Sequence, residues 1–407
     1  MSHGAMKVFS TRASLADIAQ TIDVQSQRQH AEVVAWRRHM HRHPELSFRE
    51  VDTARFLERE LAAIKGLEVS RPTPTSLLAR LAGGRKGRTL AMRADIDALA
   101  LQDQKRCDYA SGRPNVMHAC GHDGHAAMLL GAARLLAGLR TQVPGEVRFF
   151  FQHAEEQHPG GAQQMVDAGV MKGVDRVISA HVMATLDTGS IAILDGPALA
   201  SSDRFVLRVR GRGGHAANPD RCIDPIMIGA QIVGNLQAVV SRNADPHEAV
   251  ILSVTRFDGG TAFNVIPDTV ELWGSVRCFS EHVRELVPAL VERIANGVAG
   301  AHGASCELEY IRGYSPVVND AAVAARMRAV VEQGIATAVL QSIKPLPNSE
   351  DFSAYLKHAP GAYVFIGARN VAKGIVHPHH HPHFDFDEDA LLHGVQLFAN
   401  APFHLSA

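Results

Sequence analysis

Apolar strands separated by helices run through the first half of this chain, stop, and resume near its end. That interruption constrains the fold more than any other feature. Helical periodicity covers 27–42, breaks at the His43-Pro44 step, where proline has no amide hydrogen to donate, and resumes over 48–64. Strands are expected at 76–83 and 89–95, then a helix running to Leu139. Further strands are expected at 146–152, 175–182 and 190–196, with a short helix near 161–169 among them. Such alternation predicts an α/β layer around a largely parallel sheet. From about 199 to 313 the order changes to strand 205–211, helix 224–242, strands 249–257 and 269–279, helix 281–300 and strand 305–313. This βαββαβ order is the split-βαβ pattern of a ferredoxin-like unit. A helix at 320–333, a strand at 361–368 and a terminal helix from Glu388 return to the first pattern. The expectation is a two-domain α/β chain: 1–198 and 314–407 form one domain, and 199–313 is inserted into it.

Length agrees, since 407 residues at roughly 100–200 per domain fit two domains. Lys+Arg number 41 and Asp+Glu 42, so no basic field exists to collect a nucleic acid or an anionic membrane. No apolar run reaches the ~18 residues of a membrane span. The opening residues lack the continuous apolar stretch of a secretory leader. Cysteines 107, 120, 222, 278 and 306 are odd in number and scattered, which predicts reduced thiols in a cytoplasmic protein.

Histidine is the anomaly, with 23 copies. MHACGHDGHAAMLLGAA at 117–133 packs His118, Cys120, His122, Asp123 and His125 ahead of a small-residue helix. It reads as a metal site, a reactive thiol or polar crowding at a helix start. Elsewhere polar clusters follow apolar strands: TLAMR runs into Asp95 and Asp97, EVRFFFQHA into Glu155 and Glu156, and DRVISA into His181. Ligands of open α/β sheets bind beyond the carboxyl ends of strands, so these groups meet at one edge. A single such histidine or glutamate pair is more often a solvated surface feature; their convergence favours a metal hydrolase. In one, Glu155 and Glu156 would divide the labour, one ligating metal and the other taking a proton from water. Cys120 at a helix N-terminus competes as a nucleophile. The tract HPHHHPHF at 377–384 alone reads as an exposed, weakly metal-sequestering segment.

In order, HRHPELSFRE, MRADIDAL, MHACGHDGHAAMLLGAA, FQHAEEQHPGGAQQM, AHV, GRGGHAANP, NVIPD, SEDFSAY and HPHFDFDE span about 42–389. The set resembles the metal-dependent amidohydrolases of the M20 peptidase family, above all its aminoacylase, hippurate-hydrolase and auxin-conjugate-hydrolase subgroup. The resemblance implies a di-metal catalytic domain with an inserted lid and dimerisation domain. Cys120, His122, Glu156, His181 and His380 match the ligands of two divalent ions, zinc or manganese, with cobalt or nickel as further options. Glu155 matches the general base. Asp95 or Asp97 matches the acid that orients a ligand or supports the base, Asp95 being preferred and Asp97 placed behind it. His215, Asn264 and Arg277 match substrate-binding residues that act across a homodimer. The implied reaction is amide hydrolysis of an N-acyl amino acid or similar small conjugate. Deacetylation of another acylated amine and dipeptide cleavage are same-class alternatives. A non-catalytic metal buffer explains the histidine tract but gives no role to Glu155 or Asn264. Three positions depart from the family pattern: His153 and Ala100 stand where proline is usual, and Asp220 where histidine is usual.

Overall fold

The computed structural model describes residues 14–406, so the reading of the first residues as leaderless falls mainly outside the described residues. Helix α1 (Leu15–Arg42) begins well before the expected 27. Ser14 and Asp17 form a capping box, and Ile18, Ile22 and Ser26 bury one stripe beneath an otherwise polar stretch. The helix ends ahead of Pro44, as expected. Helix α2 (Val51–Ala62) starts later than 48 because Phe48 adopts a left-handed φ of 65°.

Strands β1 (Leu67–Ser70), β2 (Leu77–Ala82), β3 (Leu90–Asp95), β4 (Glu146–Gln152), β5 (Arg176–Asp187) and β6 (Ser190–Ala192) build most of the main sheet, with α3 (His122–Gly138) and α4 (Ala162–Asp167) between them. The chain then passes through β7 (Gly196–Leu199) into a second sheet. There β8 (Asp203–Arg210), β9 (Gly214–His215), α5 (Pro225–Ala238), β10 (Val250–Gly259), β11 (Val265–Ile266), β12 (Thr269–Cys278), α6 (Glu281–Ala301) and β13 (Ser305–Ile311) follow. It returns through β14 (Val317–Asn319), which pairs with β7. Helix α7 (Ala321–Gly334), β15 (Val339–Leu340), α8 (Ser353–Leu356), β16 (Gly361–Arg369) and α9 (Asp389–Leu405) complete the first layer.

The main sheet has eight strands in the order β1-β2-β4-β3-β5-β16-β6-β15. Its centre, β4, β3, β5 and β16, is parallel, but β2 pairs antiparallel with β1 and β4, and β6 with β16. The sheet is therefore mixed rather than largely parallel. The central strands are buried on both faces, which explains their continuous apolar runs. On one face lie α1, α3, α7 and α9 over Leu130, Val364 and Phe398; the other face packs Phe150, Met165 and Tyr355.

The second sheet is antiparallel in the order β10-β12-β8-β13, with α5 and α6 packed on its core face. Alternate residues Phe205, Leu207 and Val209 point into that core. Helix α5 stops at Ala238, short of the expected 242, because residues 239–243 widen into a π-turn.

Candidate metal centre and cleft

The carboxyl ends of β3 and β4 place Asp95, Asp97, Glu155 and Glu156 at one edge, as anticipated. His181 reaches the same place differently. Strand β5 continues to Asp187, but its pairing with β3 ends at Ser179, leaving the His181 ring uncovered beside that edge. Gly121 connects Cys120 to α3 with φ 100°, and any Cβ there would collide with Val182, so only glycine lets the helix start turn its residues into the site. The segment after β16 supplies His380, itself held at φ 62° and anchored by its N–H to Ala119 O at 2.8 Å.

These residues converge. Donor atoms of Cys120, His122 and His181 lie within 4.8 Å of one another, as do those of Cys120, Glu156 and His380, and those of His122, Glu155 and Glu156. The Sγ of Cys120 is 3.4 Å from His181 Nε2, and Glu156 Oε1 is 3.3 Å from His380 Nε2. His122 Nδ1 donates to Asp97 Oδ1 at 3.2 Å, and His181 Nδ1 donates to Val182 O at 2.6 Å. Each ring thereby turns its Nε2 toward the cluster, the usual outer-partner arrangement of metal-binding histidines. His122 Nε2 and Glu156 Oε1 are buried without any hydrogen-bond partner. Burial opposes charge on His122, yet Asp95, Asp97 and Glu156 outweigh it and push the imidazole up to about 10. A cluster this anionic, with thiol, imidazole and carboxylate groups together and an orphaned imidazole nitrogen and carboxylate oxygen among them, fits divalent cations.

The surroundings of Cys120 do not favour an activated thiol. Burial raises its thiol well above the ordinary range, and Glu156, Glu155 and Asp95 raise it further. Activated thiols need an electropositive setting, and this one has the opposite.

Asp97, not Asp95, orients the ring of His122; it also accepts from Ser47 Oγ at 2.6 Å and from the Glu156 N–H at 3.0 Å. Asp95 instead accepts from His125 Nδ1 at 2.6 Å and from Arg93 at 2.7 Å. His125 passes the restraint on, its Nε2 accepting the Val182 N–H at 2.9 Å, so it braces the residue after His181 and has no free nitrogen for a ligand. His379, the rival of His380, has its Nε2 engaged by the Ala184 N–H at 3.1 Å, while its Nδ1 is buried without a partner among the described residues.

Glu155 is 8 % exposed, and burial holds its carboxyl well above the ordinary range, with Glu350, Glu156 and Asp351 adding to the rise. That is the tuning a general base near neutral pH requires. Beneath it lies a charge cluster with little sequence signal beyond one arginine inside an apolar strand. Buried Arg93 donates to Asp95, Glu350 at 2.9 Å, Asp351 at 2.8 Å and Gln152 at 2.8 Å. One cation serves three carboxylates, and burial, aided by Glu350 against Arg93, pushes Asp351 up to about 8. Glu50, also without an assigned role in the sequence reading, accepts the N–H groups of Phe48 at 2.9 Å and Ala154 at 2.8 Å. Ala154 has φ 50°, so Glu50 pins the strained peptide that aims Glu155 and Glu156.

Cys120, Glu155, Glu156 and His181 line a cavity of about 280 Å³ together with the apolar Met183, Leu199, Leu346 and Phe365. Arg277 comes to its mouth beside Glu155, Glu156 and His380. His215 and Asn264 do not line it. They sit together on the β9–β11 ribbon, exposed, with Ala216 N–H bonded to Asn264 O.

This combination of a mixed α/β sheet, an inserted antiparallel sheet and a carboxylate–imidazole–thiol cluster at the strand ends is that of a metallopeptidase-type hydrolase. The sequence pattern of Peptidase family M20/M25/M40 matches residues 91–403, and the chain belongs to that family. An N-acyl-L-amino acid amidohydrolase of Geobacillus stearothermophilus is 54% identical over 288 residues, 71% of this chain and 78% of that one. An N-acetylcysteine deacetylase of Bacillus subtilis is 39% identical over 373 residues, 91% of this chain and 96% of that one. A Bacillus subtilis crystal structure described as a dinuclear metal binding peptidase from the M20 family superposes with a TM-score of 0.82 at 34% identity, covering 92% of this chain and 98% of that one. No helix among the described residues is long and apolar enough to cross a membrane.

Proposed function

We propose that this protein hydrolyses the amide bond of N-acyl amino acids or similar small conjugates, releasing a carboxylate and the free amino acid. The observation that carries the reading is a buried Glu155 beside the clustered donors of Cys120, His122, Glu156, His181 and His380, in a cavity that also has apolar lining and adjoins an opening lined by Arg277. Cys120, His122, Glu156, His181 and His380 hold two divalent ions, with Cys120 common to both ligand groups. When bound, such ions supply Lewis acidity to the scissile carbonyl and the attacking water. Thiolate and imidazole favour zinc, while the carboxylates leave manganese open and cobalt or nickel as substitutes.

Glu155 takes the proton of the attacking water and returns it to the leaving amine. Arg277, half-buried and with its guanidinium bonded among the described residues to Ser201 O at 3.3 Å, pairs with the substrate carboxylate. Residues 199–313 act as a lid and dimerisation domain on a catalytic domain of 1–198 and 314–407. In a homodimer, His215 and Asn264 reach the partner's cleft, His215 stabilising the oxyanion. All five cysteines are unpaired, which supports a cytoplasmic setting. Free-amine release from a panel of N-acyl amino acids, with added Zn²⁺, Mn²⁺ or Co²⁺, tests the activity. Metal-dependent release is expected; a fully metal-loaded protein inert across the panel would refute the reading.

A further inference from the structure

The outward face of the second sheet carries a row of arginines whose pairing changes along its length. Alternation puts Arg204, Arg208 and Arg210 on the face opposite the core positions Phe205, Leu207 and Val209. Arg208 is neutralised by Glu271 at 2.9 Å and Glu309 at 3.0 Å, and Arg210 lies 3.5 Å from Glu307. Nearer the cleft the pattern stops. Register sets Ser275 and Ile311 beside Arg204, and Arg277, two residues on from Ser275, shares their face. Among the described residues, neither Arg204 nor Arg277 has a carboxylate oxygen within 4.0 Å.

These two arginines line a cavity of about 480 Å³ together with His158, Ser202, Arg312 and Tyr314. Asp203, which also lines it, acts on Arg277 only from beyond 4.0 Å. It already accepts from Arg284 at 2.7 and 2.9 Å, Tyr310 Oη at 3.1 Å and the Gly313 N–H at 2.9 Å. Among the described residues, the carboxylate within 4.0 Å of Arg312 is that of the exposed Glu281, at 3.8 Å. Burial, then Arg204 and Arg277, lower the imidazole of His158, with Asp203 opposing them. The cavity is continuous with the catalytic cleft: Arg277, His158 and Tyr314 also border the opening beside Glu155 and His380. Tyr314 Oη donates to Glu155 O at 2.8 Å.

We propose that this cavity is an anion subsite that receives a second carboxylate on the amino-acid half of the substrate, selecting N-acyl derivatives of aspartate and glutamate. The inference rests on the amidohydrolase reading. Arg277 holds the α-carboxylate, and Arg204 with Arg312 holds the side-chain carboxylate, where guanidinium geometry suits bidentate pairing. The apolar lining of Met183, Leu199, Leu346 and Phe365, which belongs to the catalytic cavity and not to this one, is left to the acyl group.

The test compares kcat/KM for N-acetylglutamate and N-acetylalanine in the metal-loaded wild type, Arg204→Gln and Arg204→Glu. Arg204 is exposed, so neither substitution opens a core. Loss of one charge-assisted contact should lower the glutamate-to-alanine selectivity about tenfold in Arg204→Gln, chiefly through KM, and further in Arg204→Glu. Unchanged selectivity in both variants would overturn the subsite. So would a wild type that cleaves N-acetylalanine but not N-acetylglutamate. If the wild type cleaved neither these nor any other N-acyl amino acid, the amidohydrolase reading would fall and the subsite with it.

Discussion

Glu155→Gln should abolish most turnover while sparing the metal centre: kcat is expected to fall roughly 10²–10⁴-fold, the usual worth of a general base, with bound metal near the wild-type level. Glutamine keeps the shape of the side chain but cannot carry a proton back and forth. Its neutral amide also relieves the repulsion that Glu350, Glu156 and Asp351 exert on the Glu155 carboxylate, so the fold is expected to be retained. Elemental analysis and steady-state kinetics on the same preparation decide the matter. Loss of metal with little kinetic damage would exchange the roles of Glu155 and Glu156.

A second large effect is expected away from the cleft. His215→Ala should retain metal yet lose about 10²–10³-fold in kcat, as removal of one oxyanion donor does elsewhere. The side chain is exposed on β9 and lines no part of its own chain's cavity, so such a loss would require a partner's cleft. Strand β10 is an outer strand of the second sheet, with Ile251 and Phe257 41% and 39% exposed, an edge that a second copy can cover symmetrically. Mixed His215→Ala and Glu155→Gln protomers should recover part of the activity, because one site of each heterodimer then has both residues intact. No recovery in a mixture shown to exchange subunits would confine His215 to its own subunit or remove it from catalysis.

The parts of this architecture legible in the sequence are those where burial imposes a pattern. Residues 146–152 form β4 where EVRFFFQ predicts a strand, since a central strand covered on both faces must be apolar throughout. The insert is legible because its strands alternate and its helices are capped, α5 by Asp224 and α6 by Ser280. Two-residue ribbons such as β9–β11 are too short to carry a period, and strand direction at the sheet flanks leaves no mark in composition. Within the site, residue types at strand ends are visible, but their partners are not. Nothing adjacent in sequence ties Asp97 to His122, Asp95 to His125, or Arg93 to Glu350 and Asp351, whose separations close only in the folded sheet. The left-handed backbone at Ala154 and His380 is equally silent, because neither residue is the glycine that would signal it.

A titration of metal-stripped protein with Zn²⁺ or Mn²⁺, following bound metal per chain and amine release together, addresses the two-ion amidohydrolase most directly. Stripped protein should be inactive, turnover should return as two ions bind per chain, and Cys120→Ala should bind less metal at every concentration. Full turnover by metal-free protein, lost on alkylation of Cys120, would contradict this and make the thiol the nucleophile.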